Sequence, residues 1–463
     1  MKEKMCVSPF EVAKHVRNTG LPVIQQEVKT GTRRADFIGY TVEENGSLIP
    51  QVVIEVKEAP SLDAQRQLMD YAEAFQTPYA LLATPTGMIW FDTNTFLQTQ
   101  KPSFQSQRAF MTEEQEIKNL FLELLNDLRG GTTSDQYWKI FIYGLTIRAY
   151  LHEQSRLEEW FSIKNKDDFN LLLTSALNHF TSGTSLSIIH LPEETILQMV
   201  LKLGNLPPTH SKYGLLIIDL IERKGVAGEY MSPAAIRELY TQLVKQLSLN
   251  SSSHALDMTA GYGGVALALM EQNLIKQLDA YELDNETSYY LKLLSYISDL
   301  NNLMVHPTDS LKAAYNQRYD LVVLDPPLAK VKGSTLEYPS LELAKNRGQL
   351  FAAELFIERG LSLLKPGGHL IVLVPEGFMF SSATSAQTTR DFIKQESIIE
   401  GIISLPSHTL KPYTSVKMNT LILRKKSSSN EVGEEVFLAK CEKIEQFTEV
   451  GEAFGEWRRG AKE

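Results

Sequence analysis

The sequence has 463 residues with 46 basic and 56 acidic side chains, a formal charge of −10. A 43% apolar and 22% charged composition excludes an extensively disordered chain, and the length allows about two to four domains with cores of their own. Two distant cysteines, Cys6 and Cys441, argue against a disulfide framework or a Cys-based zinc site, and the acidity weighs against nucleic acid as a partner. The opening MKEKMCVSPFEVAKH has no apolar export segment, and the longest apolar runs, such as 213–221 and 370–375, are too short to span a bilayer, so the expected setting is cytoplasmic, with no membrane.

In chain order, residues 1–100 mix β-rich runs (ADFIGYTV, PQVVIEVK, YALLATP, MIWFD) with two helical patterns, the signature of a small α/β domain. Over 101–225 the β signal fades. QEIKNLFLELLNDL, YWKIFIYGLTIRAYLHE and EETILQMVLKLG carry apolar residues at helical spacing, and a helical connector is expected. From 226 to 426 strands and helices alternate as in a doubly wound, Rossmann-like sheet. SerSerSerAsn at 427–430 reads as a linker, and 427–463 as a short mixed tail.

Asp36 lies in RRADFIGY, and Glu55 and Lys57 lie in VVIEVK. Side chains at i and i+2 share a strand face, so Glu55 and Lys57 project together, and a hairpin turn over 43–50 would bring the Asp36 strand beside them. Two carboxylates at one strand end can hold Mg²⁺, and a neighbouring lysine can orient or deprotonate an attacking water. Gln67 and Tyr71 are four apart on one helical face. A hairpin with solvated charges carries the same letters. The stretch from Arg33 to Asp92 resembles the N-terminal nuclease domain of type I restriction endonuclease subunits, of the PD-(D/E)xK class. The resemblance rests on RRAD, PQVVIEVK, Gln67-x-x-x-Tyr71 and the pair YALLATP and GMIWFD. It implies that Asp36 and Glu55 bind metal, that Lys57 is catalytic, and that Gln67 and Tyr71 support the site.

A second site begins at HALDMTAGYGG, where a strand ends at Asp257 and leads through Gly261, Gly263 and Gly264 into a helix. Glycines at such a turn let backbone approach a cofactor, although any tight turn uses them. Glu282 ends the next strand 18 residues beyond Gly264, the place of a carboxylate that hydrogen-bonds a ribose diol. Asp309 follows the third strand. At the end of the fourth stands Asp325-Pro326-Pro327-Leu328, where Asp325 and outward carbonyls could accept hydrogen bonds from an exocyclic amine. A turn after a buried strand would use Pro-Pro equally well. No phosphate loop of the Gly-x₄-Gly-Lys-Ser/Thr type occurs, which argues against an ATP-driven motor.

From about Leu215 to Lys426 the chain resembles N6-adenine DNA methyltransferases, specifically modification subunits of type I restriction systems. The elements come in the family's order: GEYMSP at 228–233, DMTAGYGG, the DPPL tetrad, LLKPGGHLIVLVPEGF, IISLP and KMNTLILRK. The resemblance implies that Tyr230, Ser232, Asp257, Gly261, Gly263, Glu282 and Asp309 line an S-adenosylmethionine pocket, and that Asp325, Pro326, Pro327 and Leu328 form the target-base pocket. Two departures stand out. The family's tetrad usually starts with Asn and ends with an aromatic ring, and base–aromatic stacking is worth roughly 1–3 kcal/mol.

The aromatic cluster Tyr137, Trp138, Phe141 and Tyr143 fits a helical core better than a nucleic-acid platform. After Lys426 about 37 residues remain, too few for a target-recognition domain, which points to a separate specificity subunit. The expected protein is therefore a restriction-modification-type N6-adenine DNA methyltransferase fused to a Mg²⁺-dependent nuclease-like domain. The alternatives are an S-adenosylmethionine-binding, methylation-deficient component of a DNA defence complex, or an enzyme acting on RNA or protein glutamine.

Overall fold

In the computed structural model, the residues described are 12, 15–16, 18–21, 23–30, 33–42, 48–104, 117–121, 137–180, 193–204, 206–224, 231–332, 337–345, 349–411, 413–433 and 435–460. The chain divides into two compact units. One comprises 1–131, 158–169 and 191–207, and the other 132–157, 170–190 and 208–463. The helices of 101–225 therefore do not gather into a body of their own. Helix α2 (Tyr137–Glu153) belongs to the second unit and α4 (Glu193–Leu203) to the first, while α3 (Lys166–Phe180) runs through both assignments. Among the described residues no helix is long and apolar enough to cross a membrane.

The first unit is built on a six-stranded sheet in sequence order, β1 (Val23–Thr30), β2 (Arg33–Val42), β3 (Leu48–Val56), β4 (Tyr79–Thr84), β5 (Gly87–Asp92) and β6 (Gln98–Thr99). Strand β3 is buried on both faces. Val52 and Ile54 pack with Leu81 and Trp90 on one side, and Val53 packs with Leu68 and Ala72 of helix α1 (Leu62–Phe75) on the other. Ser61 caps α1 by accepting from the Ala64 N–H, and Gln76 closes it in a left-handed conformation. Strand β1 was not expected. Its VIQQEVKT is too polar for a core strand, and it survives as the sheet edge, where one row of backbone groups needs no partner. The expected turn over 43–50 is shorter, because Leu48–Pro50 already pair with β2, and 43–47 lie outside the described residues.

The second unit holds an eight-stranded mixed sheet. The strands are β7 (His254–Asp257), β8 (Gln277–Glu282), β9 (Leu303–Pro307), β10 (Tyr319–Leu324), β13 (Leu364–Pro375), β14 (Ser397–Ser404), β15 (Met418–Lys425) and β16 (Phe437–Lys440). Their spatial order is β16-β14-β15-β13-β10-β7-β8-β9. The chain reverses its direction of travel between β7 and β10, which are parallel neighbours, and in doubly wound sheets ligands bind at the carboxyl ends of such a strand pair. Antiparallel β15 is inserted between β13 and β14. A short hairpin, β11 (Lys330–Lys332) with β12 (Gln349–Phe351), follows the tetrad and leads into α9 (Ala352–Leu363).

The expected tail is part of this unit. β16 pairs with β14, and helix α12 (Phe447–Gly460) packs on α6 (Ala234–Lys245). That packing is close: a Cβ at Gly455 would lie 2.0 Å from Gln246 Oε1. Arg458 of α12 reaches the His369–Glu400–Arg424 ion cluster. Within it Glu400 is held down to about 2: although burial alone would raise it, the His369 and Arg neighbours prevail.

Candidate functional site

Asp325 follows β10 directly, and Val323 of β10 is in register with Asp257 at the end of β7. The two carboxylates thus rise from adjacent strand ends. Asp257 is buried, and its Oδ1 accepts from the Thr259 N–H at 3.0 Å. Thr259 turns back, its Oγ1 accepting from the Asp325 N–H at 3.0 Å. Tyr240 of α6 donates to the Leu324 carbonyl at 2.7 Å. Asp325 Oδ2 accepts from the Ser232 hydroxyl at 2.6 Å. Ser232, expected against the cofactor, is therefore engaged with the tetrad. Tyr230 lies outside the described residues.

The glycine loop joins β7 to helix α7 (Gly264–Glu271). Gly261 and Gly263 have φ of 53° and 86°, and a Cβ at Gly263 would meet Leu291 Cδ1 at 2.1 Å. Gly263 thus meets both a left-handed backbone and a close approach to helix α8 (Asn285–Ile297). The Gly261 N–H donates to Glu282 Oε2 at 2.8 Å, and the Asp284 N–H to Oε1 at 2.7 Å. The acidic end of β8 is thereby tied to the loop of β7. Asp309 sits in the turn after β9, its Oδ1 accepting from the Leu311 N–H at 3.0 Å and its Oδ2 3.3 Å from Lys312 Nζ.

Burial raises Asp257 to about 7, helped by the charges of Asp325 and Glu282. Burial also raises Asp325, against the Ser232 hydrogen bond, and it raises Glu282 against its backbone donors. The buried carboxylates of Asp257 and Glu282 around the glycine loop form a donor set suited to a ligand that carries positive charge. S-adenosylmethionine, with a sulfonium and an ammonium, meets that requirement.

In the first unit, Phe37 pairs with Ile54, which sets Asp36 opposite Glu55. Asp36 Oδ2 accepts from the Val56 N–H at 2.8 Å, and Lys57 Nζ stands 3.0 Å from Glu55 Oε2. Glu55 is 2% exposed, and it is raised by burial and by the Asp36 charge, with Lys57 opposing. On α1, Gln67 Nε2 donates to the Tyr71 hydroxyl at 2.9 Å. No cluster of three or more His, Cys, Asp or Glu residues suited to a metal occurs among the described residues. Two carboxylates still fit Mg²⁺, which keeps several of its waters.

The geometry of the second unit has a counterpart among known proteins: a family model described as N-6 DNA Methylase matches residues 211–452. The chain belongs to the N-6 DNA methylase family. It is 25% identical over 179 residues to the uncharacterized protein YtxK of Bacillus subtilis (strain 168), covering 38% of this chain and 53% of that protein. The chain thus spans about half the length of this curated relative. Among solved structures, it resembles a putative class I S-adenosylmethionine-dependent methyltransferase of Listeria monocytogenes, with TM-score 0.52 and 18% identity over 73% of this chain and 99% of that one. A chain of a type I restriction-modification system matches with TM-score 0.56 and 15% identity, over 76% of this chain and 85% of the other. At these identities the likeness is one of fold, that of the class I S-adenosylmethionine-dependent methyltransferases.

Several site residues of this N-6 DNA methylase family member carry no sequence signal of their role. Tyr240 acts from a helix, and Thr259 is an unremarked letter of DMTAGYGG. Trp138 of α2 packs edge-on against Tyr262 of the glycine loop, ring centroids 5.5 Å apart, and against Tyr290 at 4.7 Å. Trp138, Phe141 and Tyr143 are all buried, and Tyr143 shares a hydrogen bond with Tyr290. Leu328 is 38% exposed, an aliphatic side chain at the rim of the tetrad.

Proposed function

We propose that the second unit is an S-adenosylmethionine-dependent N6-adenine DNA methyltransferase of restriction-modification type, acting with a separate specificity subunit. The observation that carries this reading is Asp325, locked at the switch point beside the carboxylates of the glycine loop, in a chain of the N-6 DNA methylase family. When bound, the cofactor supplies an electrophilic methyl group. Asp257, Gly261, Gly263, Glu282 and Asp309 would line its side. Asp325 and the Pro326–Pro327 carbonyls orient the target amine, so catalysis is mostly positioning. Labelled methyl transfer to duplex DNA, with and without a specificity subunit encoded alongside, tests this. N6-methyladenine in the digested product is the expected result, and no transfer under either condition would reject it.

A second reading, of a cofactor-binding component of a DNA defence complex that does not methylate, is favoured by Leu328, which offers a flipped base no ring. Leu328→Phe separates the two. If base capture limits the rate, the ring should raise methyl transfer by about one to two orders of magnitude. If the protein only binds cofactor, the substitution changes nothing.

The cofactor pocket also makes a pH prediction. A cationic ligand binds the ionised form of Asp257, whose protonation is favoured up to about pH 7. Cofactor affinity should therefore rise by up to about tenfold per pH unit below 7 and level off above it. In the free protein the sign is opposite. The folded state holds the extra proton between the ordinary carboxylate range and about 7, so stability falls as pH rises through that window. Calorimetric titration across that range checks the first effect, and a flat affinity would detach Asp257 from the pocket.

For the first unit we propose a Mg²⁺-dependent nuclease of the PD-(D/E)xK class. Asp36 and Glu55 would hold the ion, Lys57 would serve the attacking water, and Gln67 and Tyr71 would back the site from α1. The convergence of Asp36, Glu55 and Lys57 across β2 and β3 supports it.

A further inference from the structure

We propose that Ser232 is a positioning residue for Asp325: its hydroxyl engages one carboxylate oxygen, Oδ2, and leaves Oδ1 as the single acceptor offered to the substrate amine. This rests on the methyltransferase reading and adds a device to it. A carboxylate, unlike the amide that usually occupies the tetrad's first position, has two equivalent oxygens. A flip about its last torsion would present either. The 2.6 Å bond from Ser232 Oγ to Oδ2 breaks that equivalence, and the Asp325 N–H bond to Thr259 fixes the backbone. No partner for Oδ1 occurs among the described residues.

Ser232 is itself anchored. Its carbonyl accepts from Arg237 Nη1 at 3.4 Å, and Arg237, nearly buried on α6, also pairs with Asp219 and Glu222. The serine is thus held at its carbonyl by a charged network.

The bond also sets when Asp325 is an acceptor. The titratable groups bearing on it are Asp257 at the end of β7, with Glu282 of β8 beyond it, and Tyr240 of α6. Burial disfavours its ionised form, and Ser232 is the group that favours it. The bound cofactor would supply a methyl electrophile to the amine that Asp325 orients. The nitrogen then releases one proton, which Oδ1 of the ionised carboxylate accepts.

The test compares wild type, Ser232→Ala and Ser232→Thr. The expected result for Ser232→Ala is an acid limb of the kcat–pH profile displaced to higher pH by about one unit, with Ser232→Thr restoring it. Carbon-detected titration of the Asp325 carboxyl in the cofactor-free protein should show the same displacement. An unmoved Asp325 titration in Ser232→Ala would overturn the proposal, even if the rate fell, because a merely structural serine lowers amplitude without moving the limb. Because the carboxyl titration needs no turnover, a wild type that transfers no methyl would sink the methyltransferase reading and leave this test standing.

Discussion

Asp325→Ala is expected to lower methyl transfer to DNA by about 10²- to 10⁴-fold, the range lost when a positioned acid–base group is removed. On the proposed reading the substitution deletes the acceptor side chain for the target amine, while Pro326 and Pro327 keep their backbone. Cofactor binding should change little by comparison, because the loop contacts through Gly261 and Glu282 do not pass through Asp325. Asp325→Asn should fall between wild type and Ala, since it retains an acceptor oxygen but cannot take up the proton at Oδ1. Labelled methyl transfer measured beside calorimetric cofactor affinity distinguishes these cases. An Ala variant with wild-type turnover would remove Asp325 from the chemistry.

The second large effect belongs to the other unit. Lys57→Ala is expected to lower Mg²⁺-dependent DNA cleavage by about 10²-fold or more. Two consequences act together. The ammonium that could serve the attacking water is gone, and the buried Glu55 carboxyl loses the cation 3.0 Å away that opposes its protonation. Glu55 then moves further above the ordinary carboxylate range and holds a metal less well at neutral pH. The residual activity of the variant should therefore rise with pH more steeply than that of wild type. Cleavage assays from pH 6 to 9, with circular dichroism to verify folding, check both. Undiminished cleavage would remove the site.

Much of the second unit was legible because its signals are local. DMTAGYGG, DPPL and the apolar runs of β10 and β13 each declare a strand end or a turn within a few residues, and the fold brings Asp257 and Asp325 to neighbouring strand ends. What escaped reading depends on distant partners. Ser232 meets Asp325 across 93 residues of sequence, and no spacing rule connects them. Strand β16 is four residues long and has an exposed Leu438, so only its pairing with β14 makes it a strand. Strand β1 failed for a related reason, since an edge may be polar where a central strand may not. In the first unit the letters of Asp36, Glu55 and Lys57 were visible, but the depth of Glu55 was not. That depth comes from packing on both faces of β3.

The contact of Trp138 with Tyr262 bears on how such a domain could be exchanged between genes. The family match begins at residue 211, yet the indole that braces the glycine loop is encoded 73 residues earlier. A recombination event that respected the family boundary would transplant every motif letter and leave Tyr262 and Tyr290 without the aromatic wall behind them. The heritable module is thus larger than its recognisable signature, and α2 must travel with it.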